Sequence, residues 1–183
     1  MEIINFSINS NLEIDSKCSF NISIKKSEVS IYIFGKAIGA IIENTIYDHK
    51  GIENYLSQNA ENVGLVKKLV RNSIGSFYII ISNKDSLHIL NSYSSPGLLY
   101  TKKNNKIFFS NTEKDIFESF GVASNLDEEV LLNTVTSHQI LLRPPFVTVF
   151  KDISRLPGAT GLIINSNLSV ELDLQIENEI PNN

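Results

Sequence analysis

The chain has 183 residues and a mass of 20.5 kDa, with 42% hydrophobic and 20% charged residues, enough to bury a full core in one domain and too apolar for a disordered chain. Sixteen basic against twenty acidic residues leave a formal charge of −4, which gives no overall electrostatic reason to bind nucleic-acid phosphates. The single cysteine, Cys18, excludes an intramolecular disulfide and a cysteine-based zinc site, and the three scattered histidines have no metal-ligand spacing.

The opening residues MEIINFSINSN show neither the basic nor the apolar region of a secretory signal, and no apolar run approaches the roughly 18 residues of a membrane span. A cytoplasmic protein without membrane contact is the expectation. IINFSI, CSFNISI and VSIYIFG alternate apolar and polar residues and read as strands, with KAIGAII as a further short strand after Gly35. The period then changes. Tyr47, Ile52, Tyr55 and Leu56, followed by Val63, Val66, Leu69 and Val70, predict two short helices near 48–58 and 60–71, the first capped by Asp48.

From Gly75 the pattern returns to strands: SFYIIIS, SLHILNS, GLLYTKK and KIFFSN, separated by Asn- and Asp-bearing turns, read as one antiparallel meander. SFYIIIS is apolar on both faces and predicts a central strand. Asn111 or Thr112 opens a helix that Gly121 ends, and 126–140 reads as a second helix with acidic residues at its start. Pro144 and Pro145 stop it. FVTVF, GLIINS and LSVELDL read as strands, with LPG as a turn, and the polar stretch 177–183 as a tail or the start of a linker after a domain at 1–176. These elements define an α+β class.

The segment from Gly75 to Ile164 carries an ordered set of features. Gly-x-Phe opens an apolar strand, Ser95-Pro96-Gly97-Leu98-Leu99-Tyr100 follows the next one, IFFSNTEKDIF comes after that, and Thr148 to Gly158 reads TVFKDISRLPG. This order resembles the second half of the glutaminase domain of asparagine synthetases and other class II glutamine amidotransferases, over about half of the chain. The resemblance implies an N-terminal-nucleophile hydrolase fold, an αββα sandwich of two mainly antiparallel sheets with flanking helices, here truncated in its first half.

Against that family the chemistry is missing. Its working members expose an N-terminal cysteine whose own α-amino group is the base, and this chain reads Met1-Glu2-Ile3. Cleavage before Cys18 would leave sixteen residues between it and Gly35, whereas the family places several tens of residues there, among them the arginine that holds glutamine. Phe34-Gly35-Lys36 stands where the family has Asn-Gly-Glu, which keeps the glycine and loses the side-chain donor of the oxyanion hole. Cys18 is accordingly read as a structural strand residue, with a processed Cys18 nucleophile as the rival.

Other candidates have bland readings beside the functional ones. Arg143-Pro144-Pro145 is a recognition loop or a rigid connector; His138 suits a helix C-terminus; His88 lies in an alternating strand and is expected to face solvent; His49 lies near a helix start. Either of the last two would need a carboxylate in space to form a dyad. Lys102, Lys103 and Lys106 make a basic hairpin tip, a solvated turn or an anion site. Gly97 and Gly158 are expected to serve turn geometry. Gly35, Gly39 and Gly51 are spaced wrongly for a phosphate or dinucleotide loop.

The resemblance therefore implies a catalytically inactive glutaminase-like domain, without cofactor, that serves as scaffold for an asparagine synthetase-like ligase domain or subunit. ATP and magnesium are expected only in that ligase, since the Ser-Gly-Gly-x-Asp-Ser motif is absent here. An active amidohydrolase, a stand-alone ligand- or partner-binding module and a homo-oligomer are the alternatives, because fold does not fix function.

Overall fold

The structure, a computed structural model, describes residues 3–121, 123, 125–136 and 146–173. The expected Arg143-Pro144-Pro145 connector, His138 and the tail at 177–183 lie outside them. The chain divides into two compact units: one made of 1–19, 96–157 and 166–168, the other of 20–95, 158–165 and 169–183. Every strand pairing described is antiparallel, which with the short helices gives an α+β protein.

In the first unit, β1 (Asn5–Asn9) and β2 (Ile14–Ser16) join β8 (Leu98–Lys103), β9 (Lys106–Ser110) and β10 (Ser154–Leu156) in a five-stranded sheet of order β10-β8-β9-β1-β2. The alternation seen in IINFSI sends Phe6 and Ile8 to one face, where Phe6 stacks on Phe109 with ring centroids 4.8 Å apart. Asn104 and Asn105 both take positive φ, the two-residue turn geometry that matches strand twist, and so close the β8–β9 hairpin. Helix α3 (Glu113–Phe120) starts at Thr112, whose hydroxyl accepts from Asp115 N, and stops at Gly121 in the left-handed conformation. Its Ile116 is buried with Leu99 and Ile153, flanked by Phe117, Phe120 and Phe150. Helix α4 (Glu128–Thr136) is capped by Asp127, which accepts from Val130 N.

In the second unit, β3 (Ile22–Lys26), β4 (Val29–Ile42), β5 (Thr45–Asp48), β6 (Ser73–Ser82), β7 (Ser86–Asn91), β11 (Gly161–Asn165) and β12 (Val170–Asp173) form a sheet of order β12-β11-β7-β6-β4-β3, with β5 also on β4. Helices α1 (His49–Asn59) and α2 (Val63–Arg71) lay Ile52, Leu56, Val66, Leu69 and Val70 on one sheet face against Ile31, Ile33, Phe77, Ile79 and Ile81. Their caps are Asp48, accepting from Gly51 N at 2.7 Å, and Asn62, accepting from Leu65 N at 3.2 Å. Phe77 to Ile81 are all buried, as expected of a central strand.

Four expectations are corrected. VSIYIFG and KAIGAII are one strand, β4, continued through a bulge at Ile38 that absorbs the change of period. The four strands after Gly75 are two hairpins in different sheets, because Ser92 to Gly97 leave the ladder after β7. FVTVF makes only isolated bridges through Val147 and Phe150, and the strand there is Ser154–Leu156, whose last residue begins the LPG sequence read as a turn. Cys18 lies in a bend two residues past β2 and not within a strand.

Candidate functional site

The place where the resembled family would hold its oxyanion donors is Phe34-Gly35-Lys36, and it lies inside β4, paired to Ser76, Phe77 and Tyr78 of β6. Gly35 has φ of +84°, and a Cβ there would lie 2.4 Å from Ser76 O, so the glycine is required by the approach of β6. Its N–H is not free: it donates to Asn21 Oδ1 at 3.0 Å, while Asn21 N donates to Ile33 O. Phe34 is buried and its ring packs 4.8 Å from Phe20, which also meets Tyr32 at 4.6 Å. Phe34 thus belongs to an aromatic cluster, and the neighbouring Gly35 amide is already engaged.

The Cys18 thiol is half-buried. Its Sγ lies 3.5 Å from Asn5 N, 3.6 Å from Asn5 O and 3.2 Å from Ser16 Oγ, and Ser16 Oγ also bonds Cys18 O at 2.8 Å. These partners are main chain and a hydroxyl. None is a base that could take the thiol proton or a cation that would favour the thiolate.

The histidines fare differently. His49 opens α1 with Nδ1 3.1 Å from Ala37 O and Nε2 3.9 Å from Glu53, a half-exposed contact one helical turn apart. His88 does not face open solvent. It is half-buried on β7 with Nε2 3.3 Å from Ser86 Oγ and with Nδ1 enclosed and unbonded. Burial chiefly, and then the Lys67 ammonium, lower its pKa, and Asp173 opposes them. Lys67 Nζ itself sits 2.5 Å from Asp173 Oδ2, so the carboxylate nearest His88 is committed to a lysine. That triad holds no nucleophile, and a neutral imidazole between a cation and an anion is a packing arrangement.

The residues that carry the resemblance are structural. Thr148 is buried, its Oγ1 2.9 Å from Phe150 O and 2.6 Å from Ile153 O while it accepts from Phe150 N, which closes the turn leading into β10. Gly97 and Gly158 do not take positive φ. Each is needed for the space a side chain would fill: a Cβ would lie 2.7 Å from Arg155 Cδ at Gly97 and 2.7 Å from Tyr93 O at Gly158. The left-handed residue of the Pro157-Gly158 turn is Ala159, at φ of +59°. Ser95, which heads the Ser95–Tyr100 string, and Ser92, for which the sequence carries no reading, form a buried pair, Oγ to Oγ 2.7 Å, with Ser92 Oγ accepting from Phe77 N and 2.9 Å from Gly75 O. Serines are common turn residues, so composition gave no signal for them.

At the basic hairpin tip two of the three ammonium groups are used on the protein itself. Lys102 Nζ donates to Leu168 O at 3.1 Å and Lys103 Nζ to Gly121 O beyond the end of α3. Among the described residues no three His, Cys, Asp or Glu side chains come together as a metal site would need, and no helix is long and apolar enough to cross a membrane.

No family model matches the chain, and no curated protein matches it. Among solved structures it is similar to the glutamine phosphoribosylpyrophosphate amidotransferase from B. subtilis complexed with ADP and GMP, at 8% identity and TM-score 0.48, over 97% of this chain and 44% of that one. A second, described as the allosteric regulatory enzyme of purine biosynthesis, gives 8% identity and TM-score 0.48 over 97% and 43%. The chain spans less than half the length of either.

Proposed function

We propose that the chain is a degenerate glutaminase-like domain of the N-terminal-nucleophile hydrolase type, shortened in its first half and extending over 1–176, that does not hydrolyse glutamine. In this reading it is the scaffold for an asparagine synthetase-like, ATP-dependent amide-forming ligase domain or subunit, and it carries no cofactor of its own. The observation that supports it best is the state of Phe34-Gly35: the side-chain donor of the resembled oxyanion hole is a buried phenyl ring, and the Gly35 amide is spent on Asn21. A tetrahedral oxyanion needs donors aimed at it and unoccupied, since each contributes a large share of acyl-transfer catalysis. The surroundings of Cys18 add to this, because its thiol touches main chain and Ser16 and no base.

Two measurements test the reading together. Purified chain is incubated with glutamine and ammonia release is followed, with the intact mass recorded; an uncut chain that releases no ammonia is expected. Co-expression with the product of a neighbouring asparagine synthetase-like gene should then yield a stable complex. Cleavage immediately before Cys18 with glutaminase activity that disappears in Cys18→Ala would overturn the proposal in favour of an amidohydrolase.

A further inference from the structure

We draw no further inference here: the strongest candidate, the exposed surface patch of Ile38 and Ile41 on β4, Ile46 on β5 and Ile74 on β6 in the second unit, carries none because nothing in the structure shows what covers it.

Discussion

Gly35 on β4 and Gly75 on β6 secure the same stretch of ladder from opposite strands: a Cβ at Gly35 would lie 2.4 Å from Ser76 O, and one at Gly75 would lie 2.3 Å from Lys36 O. Both hold positive φ, +84° and +135°. Any L-residue at Gly75 meets strain in the main chain together with an overlap against a carbonyl that belongs to the ladder and cannot swing away. Gly75→Ala should therefore cost about 2–4 kcal/mol, with Gly35→Ala similar. Urea unfolding of each variant checks this; loss of less than about 0.5 kcal/mol would mean that the strands part easily there.

What the sequence made legible follows from where its signals are local. The caps Asp48 and Thr112, the stop at Gly121 and the Asn104-Asn105 hairpin are all set by neighbours within a few residues, and they stand where read. The central strand was legible because burial on both faces removes alternation. The exit after β7 was not, since Ser92 and Ser95 look like any turn while their partners Phe77 and Gly75 are far away in sequence. His88 was misread for a related reason: alternation predicts a solvent face, and α2 and β12 bring Lys67 and Asp173 to it. The site followed the same division. Thr148, Gly97 and Gly158 are a recognisable string because packing demands them, and none touches a reactive group. The occupation of the Gly35 amide by Asn21 joins residues fourteen apart and leaves no local pattern.

The buried serine pair makes a second prediction. Ser92 Oγ accepts from Phe77 N and contacts Gly75 O, and Ser95 Oγ lies 2.9 Å from Phe77 O, so two hydroxyl protons serve three oxygen contacts. Ser92→Ala leaves a buried β6 amide without its acceptor and should cost about 1–3 kcal/mol. Ser95→Ala removes a donor only, frees the Ser92 proton for Gly75 O, and should cost less. A double-mutant cycle by chemical denaturation is expected to show coupling above about 0.5 kcal/mol; additive effects would show that the pair does not act as a unit.

The cap of α1 is separable from the rest. Asp48 accepts from Gly51 N at 2.7 Å at the end of an exposed edge strand, and no other first-turn acid assists it. Asp48→Ala should lower stability by about 1 kcal/mol and Asp48→Asn by much less, since the amide oxygen can still accept. Hydrogen exchange of the first amides of α1 would rise in the alanine variant alone. Equal protection in both would mean that packing of Ile52 and Leu56 holds the turn by itself.

His88 gives the pH dependence. Its pKa is lowered from 6.5 in the folded chain by burial and by Lys67, so the unfolded state binds more protons as the pH falls through this range. Its contribution to stability is complete above pH 6.5 and is lost as the pH falls through the lower folded value. Charging the ring sets an imidazolium beside the Lys67 ammonium, and Asp173, already 2.5 Å from that ammonium, offsets the repulsion only in part. Nuclear magnetic resonance titration of the imidazole should therefore place His88 below 6.5 in the native chain. Lys67→Ala should move it upward, because the repelling cation goes and the carboxylate is released toward the ring, and Asp173→Asn should move it further down. A His88→Gln variant should lose less stability between pH 7 and pH 5 than the parent. An imidazole that titrates at 6.5 or above in the parent, or that ignores both neighbours, would show that the ring is solvated and that the ion pair does not govern it.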